Sequence, residues 1–425
     1  MLSRRELLAA SALAVMPGSA FAPQSAAARD EAARTVITLP IEVTHNQLWT
    51  SAMLDGKGPY RFAIATGAAF FSLQASTAEQ AGLHPAGHRV RLRLQKQGQA
   101  HQYWDSYYAE DTVFGGALSQ KNLVYEAEPA MGGFFQGVAP GAIFLTTPST
   151  IDFAERRIEL YLEGRPDTTG FDRLEMTPLE AANLEILREL DGAEAALIID
   201  VEWNGHPLKV QVATGAAPAM FLYAHAVDRL GVWDKFDKWA AANGRWGYST
   251  TYWRKLVRLP YNARSVRSGP LRIGSTILNN PVVTMVDPTE TDHQGVLWWA
   301  GNRRLQVDGY IGMETLRRFG LIIDAKARAL WVKPNAAVNQ PFRYNRSGLR
   351  FKIEDERVTI SSVKPESPAA TAGVQAGDLV FAPGGSQAPP NFGWALDDIP
   401  GAVVEFDVVR GGARQPIRMV LRELI

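Results

Sequence analysis

Arg61-Phe62-Ala63-Ile64-Ala65-Thr66-Gly67-Ala68-Ala69-Phe70 returns 148 positions later as Lys209-Val210-Gln211-Val212-Ala213-Thr214-Gly215-Ala216-Ala217. Each copy is an apolar strand pattern running into a turn of small residues, and each is preceded by a proline, Pro59 or Pro207. Behind each proline stands a dipeptide suited to a two-residue hairpin, Asp55-Gly56 or Asn204-Gly205. The same strand, turn and hairpin signals in the same order mark a duplicated unit.

Two further elements repeat downstream. Val113-Phe114-Gly115-Gly116-Ala117-Leu118 aligns without a gap on Arg272-Ile273-Gly274-Ser275-Thr276-Ile277. Gly141-Ala142-Ile143-Phe144-Leu145, followed by Ile151-Asp152 and Ile158-Glu159-Leu160, aligns on Asp308-Gly309-Tyr310-Ile311-Gly312, followed by Ile323-Asp324 and Ala329-Leu330-Trp331. A period this long exceeds any solenoid repeat and predicts two similar halves facing each other.

This order of strand, x-Thr-Gly-Ala turn, glycine-centred strand and Asp308-Gly309-Tyr310-Ile311-Gly312-Met313-Glu314-Thr315-Leu316 resembles the pepsin-like and retropepsin-like aspartic proteases over about residues 36–335. The resemblance implies a mainly β, bilobal fold. It also implies that Thr66 and Thr214 bond between lobes, with Gly67 and Gly215 permitting the tight turns. The catalytic positions are Ala65 and Ala213, where the family carries aspartate. Its chemistry needs two carboxylates, one as general base on a water and the other as acid on the carbonyl oxygen. A methyl group does neither. Each such function contributes about 10²- to 10⁴-fold in rate, so the expectation is an aspartic endopeptidase scaffold that cannot turn over. Matching Asp-to-Ala differences with Thr and Gly retained resemble an inactivated enzyme; a natural peptide-binding pseudoprotease is the alternative.

The C-terminal stretch has its own signature. Ser347-Gly348-Leu349-Arg350-Phe351, Val358 to Val363, Ser367-Pro368-Ala369-Ala370 and Gly377-Asp378 resemble a PDZ domain over 346–425. The resemblance implies that Gly348, Leu349, Arg350 and Phe351 receive a peptide's terminal carboxylate while a strand edge accepts the peptide, or that the domain takes an intramolecular ligand. Arg350 stands where that family often has glycine.

At the other end, Ser3-Arg4-Arg5 precedes an apolar run from Leu7 to Met16 and the small-x-small tripeptide Ala20-Phe21-Ala22. The run is too short to span a bilayer and predicts a cleaved signal resembling the twin-arginine type, hence a periplasmic or secreted protein with no integral membrane segment after cleavage. Lys+Arg and Asp+Glu are equal at 44 each, which gives no charge excess to attract nucleic acid. Cysteine is absent, so disulfides and thiolate chemistry are excluded. No cofactor is expected and no metal site. Asp287 to His293 holds the one cluster of ligand-type residues and reads as a solvated loop, as does the stretch holding His84 and His88. Asp152 and Asp324 read as turn caps.

The predicted organisation is a signal peptide at 1–22, a linker at 23–35, a first lobe at 36–163 and a connector with a helix at 164–194. A second lobe at 195–334, a linker at 335–345 and the PDZ-like domain at 346–425 follow. Pro178 is expected to open the connector helix. Leu73 to Gly82 reads as a short helix, and Val90 to Tyr108 as a hairpin whose tip, about residues 93–106, would cover the cleft by analogy with the resembled family. Substrate contacts are assigned to Tyr103, Trp104 and Trp246, the last within an aromatic-rich insertion between Val232 and Tyr261.

Overall fold

The computed structural model describes residues 36–44, 46–68, 71–92, 102–128, 135–141, 144, 147–180, 195–235, 263–289, 297–300, 303–354, 357–389 and 392–425. The chain is mainly β, as expected. Both predicted hairpin turns form: Leu54 pairs with Lys57 across Asp55-Gly56, and Trp203 with His206 across Asn204-Gly205. All four turn residues have positive φ, between 47° and 79°, the backbone that asparagine, aspartate and glycine accept most readily.

In the first half, six strands close into a ring. Gln47–Leu54 pairs with Lys57–Ala65, which runs parallel to Gly137–Pro140; Ser72–Gln74, Leu118–Glu128 and Gln102–Phe114 follow, and the last returns to Gln47–Leu54. The second half repeats the order with Ala195–Trp203, His206–Val212, Gly309–Ile311, Met220–Leu222, Val282–Val286 and Ala263–Arg267. Here two long strands are broken, at Ser268-Gly269-Pro270 and at Asn279-Asn280-Pro281, because proline has no N–H to give a ladder. The pieces Leu271–Ile273 and Thr276–Leu278 carry the predicted Gly274 turn, matching Gly115 after Phe114. Each half also has a short helix, Ala75–Ala81 or Ala224–Leu230, ended by a left-handed glycine, Gly82 at φ 64° or Gly231 at φ 58°.

The halves are joined by a continuous run of Val36–Pro40, Arg157–Tyr161, Ser149–Asp152, Phe319–Asp324, Ala329–Pro334 and Asp172–Glu180. Its midpoint is the antiparallel pairing of Ser149–Ile151 with Leu321–Ile323, about which the two halves correspond strand for strand. One apolar core runs through both, from Ile37 to Tyr344. Asp152 and Asp324 cap turns, accepting from the N–H groups of Ala154 and Glu155 and of Ala327.

Three expectations are corrected. The 164–194 connector contains the strand Asp172–Glu180, and Pro178 lies opposite Leu197 instead of opening a helix. The alternation of Leu174 and Met176 with polar neighbours sets a period of two, which prevails over the helix-start signal of proline; residues 181–194 lie outside the described set. Residues 335–345 are not a free linker, since Phe342 and Tyr344 are buried in the main core. His84 opens a strand, His84–Leu92, on which His88 also lies, although His84 is exposed as expected.

The last sheet is antiparallel and meandering: Leu349–Glu354, Arg357–Val363, Leu379–Phe381, Val403–Arg410 and Ala413–Val420. It has a core of its own, including Leu349, Ile360, Phe392, Phe406 and Met419. Ser367 caps the helix Pro368–Thr371 by accepting from the Ala370 N–H, with proline in the first turn. Asp378 accepts from the Gln375 N–H and from two nitrogens of Arg410, tying the glycine-rich turn to Val403–Arg410.

Candidate functional site

The two small-residue turns meet, and threonine joins them. The Thr66 N–H donates to Thr214 Oγ1 at 3.0 Å, and the Thr214 N–H to Thr66 Oγ1 at 3.0 Å. Each hydroxyl then donates to a strand carbonyl of the other half, Thr66 to Val212 at 2.5 Å and Thr214 to Ile64 at 2.7 Å. Both side chains are fully buried, so every bond replaces water that cannot reach the site. The turns close on themselves as well, Ala68 N–H to Ala65 C=O and Ala216 N–H to Ala213 C=O.

The glycines are required by proximity. A methyl group on Gly215 would stand 2.8 Å from Ala65 Cβ, and one on Gly67 would stand 2.8 Å from Gln211 Nε2. Ala65, partly exposed, therefore sits beside the opposite half's turn, while Ala213, at 8% exposure, lies two residues beyond the Gln211 that approaches Gly67. Neither turn carries a titratable group, so neither can move a proton.

Beside each turn a row of residues crosses neighbouring strands. In the first half it is Ala63, Val138 and Ser72; in the second it is Gln211, Tyr310 and Phe221. The first row is small, while the second carries an amide and two rings stacked at 4.8 Å. Ala213, Ala216, Ala224, Ala263 and Val286 pack with those rings. Sequence reading missed this row; its signal is position, two residues before each turn alanine and its cross-strand neighbours.

The glycine-centred strands are locked equivalently. Asp308 Oδ2 accepts from the Lys209 N–H at 2.9 Å, and Gln136 Oε1 from the Arg61 N–H at 2.7 Å. This overturns the expected alignment of Gly141 to Leu145 with Asp308 to Gly312: the true counterpart is Gln136 to Pro140, since Phe62 faces Gly137 as Val210 faces Gly309. Glutamine in place of aspartate hid the match. Burial works to raise the Asp308 carboxyl, but His225, the Lys209 N–H and Arg229 outweigh it and hold it below the usual range.

The remaining predicted site residues divide. Tyr103 and Trp104 lie on Gln102–Phe114 opposite Arg91 and Val90, forming the expected hairpin with His84–Leu92; its turn at 93–100 is outside the described residues. Trp246 and most of the aromatic insertion are also outside them, as are 1–35 and Asp292-His293. Within the insertion's described start, Trp233 lies under the Arg264 guanidinium at 3.7 Å. Gly348, at φ 77°, leads into a strand that begins at Leu349, so the expected carboxylate-receiving loop is shorter than the resemblance implied. The Leu349 N–H is already given to Ser347 Oγ and its carbonyl accepts from Asn345 Nδ2. Phe351 is packed edge-on against Phe392, and Arg350 is half-buried with its guanidinium weakened by burial and by Arg264. Among the described residues no cluster of three or more histidine, aspartate or glutamate side chains is arranged to hold a metal, and no helix is long and apolar enough to cross a membrane.

No protein-family model matches the chain, and no curated protein matches it.

Proposed function

We propose that the chain is a two-lobed scaffold of the aspartic-endopeptidase type that holds an extended peptide between its halves without cleaving it. The observation carrying this reading is the reciprocal threonine network, which joins two equivalent turns, one from each copy of a duplicated strand order. Such a network fixes two side chains, one from each half, at adjacent sites; the side chains are alanine, so positioning persists and proton transfer does not. An extended peptide would meet unlike walls. Ala63 and Val138 pack against Trp49 and Phe135 in the first half, whereas Gln211 stands beside the stacked rings of Tyr310 and Phe221 in the second.

The meandering C-terminal sheet with its Ser367-capped helix supports a PDZ-type domain, and the occupied backbone groups at Leu349 favour an intramolecular role over capture of a peptide terminus. The paired arginines and Ala20-Phe21-Ala22 favour export to the periplasm or medium.

Equilibrium titration of the purified chain with a peptide pool tests the binding reading. Saturable binding that leaves the peptides intact is expected; absence of binding across a diverse pool would overturn it.

A further inference from the structure

Charge is buried from both sides where the C-terminal sheet meets the body. Glu314, on the helix Met313–Leu316, is fully buried and accepts from Arg317, Arg318 and the Arg343 N–H. Arg318, equally buried, also donates to the carbonyls of Ala337, Val338 and Gln340, and its guanidinium lies 3.9 Å from the Phe342 ring centre. From the sheet side, Arg346 donates to the carbonyls of Asp398 and Phe342 and to Glu423 Oε1. Tyr344 and Arg267 both donate to Glu423 Oε2. These acids and bases are matched.

Asp397 is the exception. It follows Leu396, whose carbonyl accepts from the Arg346 N–H, so the residue sits on the seam. Its Oδ1 is buried with no hydrogen bond, although the residue keeps part of its surface in solvent. The charges of Glu314, on the body helix, and of Asp398, on its own loop, oppose ionisation of Asp397, and those of Arg343 and Arg346, on the segment between body and sheet, favour it. A carboxylate there would be poorly solvated beside a second buried carboxylate; a neutral carboxyl would not. Unpaired buried charge is among the costliest defects a seam can carry.

We propose that this seam is a proton-operated latch, in which neutral Asp397 seats the C-terminal sheet on the body and ionised Asp397 loosens it.

The direction follows from linkage. Burial, and next Glu314, raise the Asp397 carboxyl well above 3.8, and Arg346 and Arg343 only partly offset them. The seated state therefore holds a proton that the loosened state releases. Seating is fully supported below 3.8 and weakens as pH rises toward the raised value, by up to about tenfold per pH unit, then levels off. Glu423 runs the other way. Burial pushes it up, but Tyr344, Arg346 and Arg267 outweigh that and hold it below 4.5, so its contribution is lost as pH falls through the depressed value. The seam is tightest between these two limits and opens on the alkaline side.

Hydrogen exchange of the full chain, corrected for intrinsic rates, reads the latch through peptides covering 341–347, 395–398 and 421–425. From pH 4.5 to 8.5 the opening constant of these peptides should rise at least tenfold, while peptides from His206–Val212 stay level. Asp397→Asn should abolish the rise and keep the seam protected, and Asp397→Ser should do the same if the amide packs badly. Asp398→Asn, on the neighbouring side chain, should leave the rise in place. A flat profile in the unsubstituted chain, or a rise that survives in both neutral variants, would overturn the latch.

Discussion

Replacing Thr214 by valine keeps the shape of the side chain and deletes its hydroxyl. Two buried groups then lose partners, the Thr66 N–H, which donated at 3.0 Å, and the Ile64 carbonyl, which accepted at 2.7 Å. Water cannot replace the hydroxyl because both threonines are fully buried. At about 1–3 kcal/mol for each stranded group, Thr214→Val should cost about 2–6 kcal/mol. Thr214→Ser keeps the hydroxyl and gives up one methyl, a loss of about 1 kcal/mol. Thr66→Val strands the mirror pair, the Thr214 N–H and the Val212 carbonyl, and should cost a similar amount. Because both threonines hold one junction, the double valine variant should cost less than the sum, with a coupling of about 0.5–3 kcal/mol. Urea titration, read as a shift in midpoint at unchanged slope, measures all four variants. If Thr214→Val falls within about 0.5 kcal/mol of the parent, or valine and serine behave alike, the network does not hold the halves together.

Further outcomes follow from single contacts. Gly215→Ala forces a methyl to within 2.8 Å of Ala65 Cβ and should cost about 1–3 kcal/mol, more than Gly67→Ala, where the flexible Gln211 amide can move; paired urea titrations decide the order. Arg318→Ala leaves the Glu314 carboxylate buried beside fewer donors and should destabilise by about 3–5 kcal/mol, seen as a lower thermal midpoint. Asp308 is held below 3.8, so its support for the fold is present above that value and is lost as pH falls through its depressed one. Asp308→Asn should therefore flatten the acid limb of a stability-against-pH curve while the limb above pH 5 keeps its shape.

Much of the fold was legible because local chemistry and tertiary structure agree in the repeated hairpins. Asp55-Gly56 and Asn204-Gly205 sit where both central residues need positive φ, and the alanine-threonine-glycine turns recur at one spacing. What escaped reading were features that depend on a partner distant in sequence. Asp172–Glu180 looks like a polar connector until Ala329–Pro334 and Ala195–Trp203 flank it. The segment around Arg343 looks like a linker because its binding partners, Glu314 and Arg318, lie in another element. Gln136 matches Asp308 only through strand register and the hydrogen bond each accepts. In the candidate site, the threonines and glycines were visible as a motif, whereas Gln211, Phe221 and Tyr310 emerge only from strand register.

Peptide cleavage by the Ala65→Asp, Ala213→Asp double variant tests the central reading most directly. Two carboxylates placed by the threonine network should share a proton and titrate as a coupled pair, one pushed below the usual carboxylate range and the other raised above it by their mutual repulsion. The expected result is acid-favouring cleavage that an aspartic-protease transition-state mimic blocks, with each single variant lower by about 10²- to 10⁴-fold in kcat/KM. The parent chain should bind the same peptides and leave them whole. A folded double variant that cleaves nothing across the pool and pH range, or inhibitor-sensitive cleavage by the parent chain itself, would contradict the assignment of Ala65 and Ala213 as the paired positions of the cleft.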